Sequence, residues 1–196
     1  MKKLTIKDLM NIGIFAALYF VCVGIGTLIG ALVMHSGHMF LAPVFAALIS
    51  GTVYMVLVAK TKKFGAITLV GVLMATFFLL SGHFFFAFIP SLVCGVLADV
   101  VAKMKHYQSN TVNLISYIIF SFGNLGPIIL MWVMEEAYVQ RLIEKGKDAT
   151  YIANVMVPFN TNTVLFYLVT ISIAALIGGL FGQHLMKKHF VKAGMI

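Results

Sequence analysis

Long apolar stretches alternate with short polar connections along almost the whole chain. Most stretches approach the roughly 20 residues that a helix needs to cross a bilayer. The pattern predicts six helical spans, at 9–33, 40–59, 64–81, 84–102, 112–134 and 163–186. The expected fold is therefore an all-α integral membrane bundle of six transmembrane helices, with residues 1–196 forming a single membrane domain.

Basic residues are sorted among the connections. Eleven of the 14 Lys and Arg residues lie in the N-terminal segment, in the connections 60–63 and 103–105, or in the C-terminal segment. Short loops rich in Lys and Arg stay on the cytoplasmic side of a membrane. Because basic and non-basic connections alternate, we expect a multi-pass protein of the cell membrane with both termini cytoplasmic.

The composition agrees with a lipid environment. The chain is 61% hydrophobic and 10% charged, with a mean hydropathy of +1.03, whereas soluble domains carry about 25% charged residues. A net charge of +8 would otherwise point to nucleic acid. Here the charges border apolar spans, so the expected partner is the lipid bilayer with its anionic headgroups, and no nucleic acid.

The connection 135–162 is unusually long, and loops of this length are often functional. Its apolar residues recur at helical spacing in two stretches separated by Gly146: Tyr138, Leu142 and Ile143, then Tyr151, Ile152, Val155 and Met156. This spacing predicts two short amphipathic helices over the outer mouth of the bundle. They either cover a binding site or form an interfacial hairpin without a ligand.

The predicted spans carry little chemistry. Asp99 is the single acidic residue inside a span, whereas ion-coupled transporters place ionisable residues at mid-depth. The chain also lacks HExxH, P-loop and GxSxG motifs. We therefore expect no enzymatic activity and no intrinsic cofactor, and a protein that binds a small molecule and depends on a partner.

Small residues spaced four apart form three motifs of interest in the first and last predicted spans. The motifs are Gly13-x-x-x-Ala17, Gly26-x-x-x-Gly30 and Gly178-x-x-x-Gly182. Such spacing lets a second helix approach closely. We interpret the motif at Gly26 as internal packing. The motifs at Gly13 and Gly178 leave two interpretations open, a docking surface for a partner membrane protein or packing within the bundle.

Three histidines, His35, His38 and His83, map to the outer ends of the predicted spans, and Phe84 opens an aromatic run beside them. Imidazole is a ligand of haem iron, and aromatic rings suit a flat molecule. These four residues are candidate substrate contacts, with His35 and His38 as haem-iron ligands. Alternatively, the histidines are ordinary boundary residues. No metal site of the protein itself is expected.

The fifth span is interrupted by the segment 121–127. Pro127 lacks an N–H, so the carbonyl of Gly123 loses its helical partner. Freed backbone groups are tolerated in a membrane where they face protein or line a cavity. We therefore place Asn124 on a ligand pocket, with a simple packing kink as the alternative. Trp132, Glu135 and Asn160 are further candidate contacts.

The opening Lys7-Asp8-Leu9 through Gly13-x-x-Ala16-Ala17, together with the length and the six-span layout, resembles the Trep_Strep (MptD-like) group. These proteins are similar to substrate-binding S components of energy-coupling factor (ECF) transporters. The resemblance implies an S-component-like bundle that captures a micronutrient from outside. It also implies docking, through Gly13 and Ala17, on a transmembrane T component attached to two ATP-binding subunits. The chain lacks the Met-His start of the nickel and cobalt type.

The expected function is thus an S component of an ECF-type ABC importer. The favoured substrate is haem or another flat aromatic molecule, because of the outer histidines and the phenylalanine run. The alternative substrate is a thiamine-like or other heterocyclic vitamin, bound by Asn124, Trp132, Glu135 and Asn160. A stand-alone secondary transporter is the alternative from another class.

Overall fold

The computed structural model describes residues 3–34, 39–80 and 85–191, and all regular secondary structure in these ranges is helical. Turns of 3-10 helix at Met39–Leu41, Phe85–Phe88 and Phe122–Leu125, and a π-helical turn at Met186–Val191, join or extend the α-helices. The α-helices are α1 (Ile6–Met34), α2 (Ala42–Ile49), α3 (Gly51–Thr61), α4 (Ala66–Leu80), α5 (Ile89–Lys103), α6 (Asn110–Ser121), α7 (Gly126–Val133), α8 (Glu135–Glu144), α9 (Ala149–Val155) and α10 (Thr161–Leu185).

Three helical segments are long and apolar enough to cross a bilayer: α1, the segment Asn110–Val133 that comprises α6 and α7, and Thr161–His189. A fourth is added if α2 and α3 count as one bent span. Each of α4 and α5 has 15 residues, about 22 Å of helix against a hydrocarbon core of about 30 Å. The described residues thus form an all-helical integral membrane protein with three or four candidate spans. Six spans stay a prediction.

The second predicted span is broken rather than continuous, because α2 and α3 meet at a 48° bend at Ser50. The Ser50 hydroxyl donates to the carbonyl of Ala46 one turn earlier, a contact that often bends helices. The Tyr117 hydroxyl of α6 donates to the neighbouring carbonyl of Ala47. Side-chain hydroxyls therefore donate to backbone carbonyls at a bend that is buried in the bundle.

The glycines of α10 pack against this bend. A Cβ placed on Gly178 would lie 2.3 Å from the carbonyl oxygen of Leu48, and one on Gly182 would lie 2.7 Å from the backbone of Gly51. Neither distance is possible for a real side chain, so both positions require glycine. Of the two interpretations of the Gly178-x-x-x-Gly182 motif, internal packing is the one that the structure supports.

The motif at Gly26 also packs internally, as its spacing indicated. A Cβ on Gly26 would lie 2.5 Å from the backbone nitrogen of Ala46, and one on Gly30 would lie 3.1 Å from that of Ala42. These contacts bring the second half of α1 against α2. The first half of α1 lies instead beside α4, where Phe20 and Phe77 place their ring centroids 4.2 Å apart.

The lysine-bearing segments come together at one end of the bundle. Asp8 of α1 forms an ion pair with Lys63 in the connection between α3 and α4, with 2.5 Å between Oδ2 and Nζ. Near the end of α10, the Gln183 Nε2 donates to the carbonyl of Asn110 at the start of α6, at 2.7 Å. We call this end, formed by residues 3–8, 60–68, 99–113 and 183–189, the basic end. The helices α8 and α9 lie at the opposite end, and which end faces the cytoplasm stays a prediction.

Asp99 is fully buried and organises the basic end. Its Oδ2 accepts hydrogen bonds at 2.9 Å from the backbone N–H groups of Gly65 and Thr68 and from the Thr68 hydroxyl. The Asp99 carboxylate therefore caps the start of α4. Its Oδ1 accepts from the Tyr107 hydroxyl at 2.8 Å. The acidic residue that the sequence places inside a span is thus a structural staple between two connections.

Tyr107 adopts a left-handed backbone conformation, with φ of 61°, which is rare for a bulky residue. Burial is the main cause that raises the pKa of Tyr107 well above its ordinary value, and the hydrogen bond to Asp99 is the second cause. The phenol therefore stays protonated and donating at any physiological pH. The bond to the carboxylate compensates for the backbone strain of this connection.

We expect Tyr107→Phe to lower the melting temperature of the detergent-solubilised protein by several degrees. The substitution leaves one oxygen of a buried carboxylate without its donor, which costs about 1–3 kcal/mol. Tyr151→Phe is the matched control, because Tyr151 is exposed on α9 and its stacking with the Lys147 ammonium needs only the ring. Equal melting temperatures for both variants and the parent would show that the Asp99 staple does not depend on this bond.

Candidate functional site

Four of the predicted substrate contacts, His35, His38, His83 and Phe84, lie outside the described residues. The structure therefore does not test the proposed haem ligands. Within the described ranges, no group of three or more His, Cys, Asp or Glu side chains is placed to hold a metal ion.

The break between α6 and α7 borders a cavity of about 280 Å³. This cavity lies between α1, α2, α4 and the break, in the half of the bundle farther from the basic end. We call it the apolar cavity. Its lining consists of Phe20, Val23, Gly24, Thr27, Ala42, Pro43, Ala46, Phe77, Phe78, Asn124, Pro127 and Ile128. None of these side chains is ionisable, so a bound molecule would meet aromatic and aliphatic walls with very few polar groups.

The backbone at the break is satisfied by its neighbours. The carbonyl of Gly123, which lacks a partner at Pro127, accepts from the Ser91 hydroxyl of α5 at 2.8 Å and from the N–H of Gly126. A Cβ on Gly126 would lie 2.2 Å from the carbonyl oxygen of Ala87, so glycine is required for this close approach. The break is therefore a tightly packed feature that holds its cavity-facing residues in place.

Asn124 is the polar residue that the break presents to the apolar cavity. The residue is 8% exposed, and its Nδ2 donates to the hydroxyl of Tyr19 at 3.0 Å. Among the described residues, its amide oxygen forms no hydrogen bond. With its nitrogen on Tyr19, the amide leaves its oxygen available as an acceptor in an otherwise apolar environment, suited to one N–H or O–H group of a ligand.

The other predicted contacts are not among the residues that line the apolar cavity. The Trp132 Nε1 donates to the carbonyl of Val157 at 3.1 Å, which fastens the chain after α9 to α7. Asn160 is the N-cap of α10 and accepts from the backbone N–H of Thr163 at 2.8 Å. Glu135 is exposed in the first turn of α8. The structure therefore separates Asn124 from the other three residues.

Trp132 belongs instead to an aromatic cluster at the opposite end, which comprises Phe40, Trp132, Phe159, Phe166 and Tyr167. Tyr167 is 1% exposed, and its hydroxyl has no hydrogen-bond partner among the described residues. A buried hydroxyl without a partner is rare in native proteins. Sequence reasoning missed this residue, although the neighbouring aromatic pair at the start of α10 was the available signal.

Gly13 and Ala17 face away from the bundle. A Cβ added to Gly13 would meet no atom within 4 Å, and both residues are exposed. They line an open groove of about 340 Å³ between α1 and α4, which we call the α1–α4 groove. Its remaining lining is Ala16, Phe20, Leu73, Met74 and Phe77. Of the three small-residue motifs, this one alone leaves its first glycine without a neighbour in the described part of the chain.

These features define a helical integral membrane protein with an apolar cavity and an exposed small-residue groove. Residues 6–192 match the family model described as hypothetical bacterial integral membrane protein (Trep_Strep). The chain belongs to this family. Neither a curated protein nor a solved structure matches the chain.

The contrast between Gly13 and Gly26 is directly testable. We expect Gly26→Ala to lower the melting temperature in detergent by several degrees, because the new methyl group would lie 2.5 Å from the backbone of α2. Gly13→Ala makes the same change on the same helix and should leave stability unchanged or slightly raised, since alanine favours a helix by about 1 kcal/mol over glycine. Equal losses in the two variants would contradict this assignment of the packed and open faces of α1.

Proposed function

We propose that this protein is the substrate-binding S component of an ECF-type importer for a micronutrient. The observation that carries the proposal is the pairing of two separate features. One is a cavity able to hold a small molecule, and the other is an open groove of small residues. Among the described residues, no ionisable side chain lines either of them. Such a protein binds a substrate and relies on another subunit for energy.

The dimensions of the apolar cavity favour a vitamin-sized heterocycle over haem. About 280 Å³ lies just below the range of roughly 300–1,000 Å³ typical of small-molecule sites, and a haem macrocycle is larger than this space. The walls suit a flat, largely apolar ring, and the Asn124 oxygen suits one donor on that ring. Haem remains the expected substrate only if the outer histidines, rather than this cavity, form the site.

The described lining of the apolar cavity contains no ionisable group, which weighs against a stand-alone secondary transporter. Proton or sodium coupling requires such groups near the substrate. In the described residues, the buried carboxylate of Asp99 lies at the basic end and is fully occupied by Gly65, Thr68 and Tyr107. An external energy source, such as two ATP-binding subunits, fits this chemistry better.

The α1–α4 groove is suited to a transmembrane helix of a T component. The groove is apolar and lies on the outside of the bundle, and Gly13 and Ala17 remove side chains at helical spacing. Phe20 and Phe77 line both the groove and the apolar cavity. A helix that docks in the groove would therefore press on side chains that also enclose the substrate, which would couple docking to release.

The substrate is identified by purifying the protein from cells grown in rich medium and analysing the bound molecules by mass spectrometry and absorption. We expect a colourless protein that carries a heterocyclic molecule of vitamin size. A Soret band that disappears in His35→Ala and His38→Ala would instead make the outer histidines the site and haem the substrate. Uptake by the protein alone in liposomes without ATP would contradict the S-component assignment.

The role of Asn124 is tested by Asn124→Leu, which keeps the approximate volume and removes the acceptor. We expect the affinity for the identified molecule to fall at least tenfold, the loss of about one hydrogen bond in a buried site. Tyr19→Phe keeps the Asn124 acceptor and removes the Asn124–Tyr19 bond without altering the cavity lining, so it should cause a smaller loss. Unchanged affinity in Asn124→Leu would mean that the Asn124 oxygen does not bind the ligand.

A second control separates the apolar cavity from the aromatic cluster. Asn160→Ser keeps a capping side chain at the start of α10 and removes the amide. Unchanged affinity in this variant, with loss in Asn124→Leu, would favour the cavity. The reverse result would move the site to the outer connection and to Trp132.

The docking surface is tested by Gly13→Leu and Ala17→Leu. We expect both variants to retain substrate binding and to lose co-purification with a T component and its ATP-binding subunits, because leucine would fill the groove. Leu18→Trp adds bulk to the exposed side of α1 outside the groove lining and should leave the complex intact. Full recovery of the complex with both groove variants would remove this face as the interface.

A further inference from the structure

The apolar cavity has an opening on the lipid-facing side of α1. Gly24 lines this cavity and is also exposed on the surface of the bundle. A Cβ added to Gly24 would meet no atom within 4 Å among the described residues, so no neighbouring helix covers this position. Phe20, one turn earlier, lines the cavity as well and is 37% exposed. The cavity therefore opens to the outside of the bundle beside α1.

The opening follows from the way α1 changes partners along its length. Its first half lies beside α4, where the rings of Phe20 and Phe77 are in contact. Its second half packs against α2, because Gly26 allows the two backbones to approach closely. Gly24 lies between these two contacts, and the missing side chain at this position leaves a gap between α1 and α4.

The opening lies at a depth where α1 faces acyl chains. The helix is about 43 Å long, which matches a bilayer of about 40–45 Å with its headgroups. Gly24 lies about 15 Å along the axis from the end of α1 at Met34, whereas each headgroup layer is about 5–8 Å thick. A molecule that enters beside Gly24 therefore comes from the hydrocarbon core and not from water.

The polar side chains of the described lining, Thr27 and Asn124, both offer an acceptor. The Thr27 hydroxyl donates its proton to the carbonyl of Val23 at 2.9 Å, so its oxygen can only accept a hydrogen bond from a ligand. The Asn124 nitrogen donates to Tyr19, which leaves the amide oxygen as an acceptor. The cavity therefore fits a molecule with an N–H or O–H donor, whereas a plain acyl chain would leave both acceptors unpaired.

We propose that the apolar cavity takes up an uncharged, lipophilic ring compound with a hydroxyl or N–H donor directly from the bilayer, through the opening at Gly24. The route through lipid selects uncharged molecules, because charged groups are costly in the hydrocarbon core. The acceptors of Thr27 and Asn124 then select molecules with a donor. This inference rests on the binding role that the proposed function gives to the apolar cavity, and it adds the entry route and the class of ligand.

The class of ligand is tested with 2-naphthol and 2-methoxynaphthalene, which share a ring system and differ in the hydroxyl donor. Binding to the protein in lipid nanodiscs is measured after subtraction of partitioning into empty nanodiscs. We expect saturable binding of 2-naphthol and at least tenfold weaker binding of the methyl ether, the loss of about one buried hydrogen bond. Asn124→Leu should reduce this difference to less than threefold. Equal binding of the two compounds by the parent would indicate a space that any acyl chain can fill, and it would overturn the inference.

The entry route is tested by the rates of 2-naphthol binding to Gly24→Leu. A leucine in the opening obstructs passage in both directions, so we expect association and release to slow at least fivefold while Kd changes less than threefold. Leu28→Trp is the matched control, because Leu28 is 61% exposed one turn further along α1 and does not line the cavity. Its rates should equal those of the parent. Parental rates in Gly24→Leu, or a loss of affinity through faster release alone, would overturn the route.

Phe20→Ala tests the same route in the opposite direction. Removal of the ring widens the opening beside Gly24, so association and release should both become faster than in the parent. This variant keeps the test decisive if Gly24→Leu does not fold. Parental rates in Phe20→Ala would show that the ligand does not pass between α1 and α4.

The outcomes separate this inference from the proposed function. Donor-dependent binding of 2-naphthol through the opening, in a protein that never co-purifies with a T component, would support the inference and remove the S-component assignment. Conversely, a molecule identified by mass spectrometry that is charged at neutral pH and bound in the apolar cavity would overturn the inference. That result would leave the S-component assignment intact.

Discussion

The close approach of α10 to the bend between α2 and α3 is the constraint on which the bundle depends. Gly51, Gly178 and Gly182 bring backbones together at distances that no side chain permits. In a membrane, apolar side chains gain little by leaving lipid, so close van der Waals contact and internal hydrogen bonds have to hold helices together. At the bend, the hydroxyls of Ser50 and Tyr117 donate to the carbonyls of Ala46 and Ala47, which lie buried in the bundle.

The same requirement explains the second irregular segment, between α6 and α7. Pro127 removes a donor, and the Ser91 hydroxyl of a neighbouring helix supplies one to Gly123. Because its backbone groups are satisfied, the break can place Asn124 against the apolar cavity. The same break therefore packs against α5 and lines the apolar cavity. Phe20 and Phe77 line both this cavity and the α1–α4 groove.

The two ends of the bundle differ in how their polar groups are satisfied. At the basic end, Asp99 is fully paired, whereas the buried Asn113 oxygen has no hydrogen-bond partner among the described residues. At the opposite end, Trp132 and Asn160 form hydrogen bonds with Val157 and Thr163. The buried Tyr167 hydroxyl has no hydrogen-bond partner among the described residues. In the part of the chain that the structure describes, buried side-chain groups without a hydrogen-bond partner are therefore few.

The sequence by itself determined the helical class, the membrane environment, the clustering of lysines and the irregular segment before Pro127, because apolar length, charge and proline act locally. It also indicated two helices in the long connection, where α8 and α9 occur. Only the tertiary structure decided that the Gly178 motif packs inward while Gly13 faces out, that Ser50 bends the second span, and that Asn160 caps a helix. The same four-residue spacing occurs on a packed face and on an exposed face of a helix. Which face packs depends on the neighbouring helix, and therefore on contacts between residues far apart in the chain.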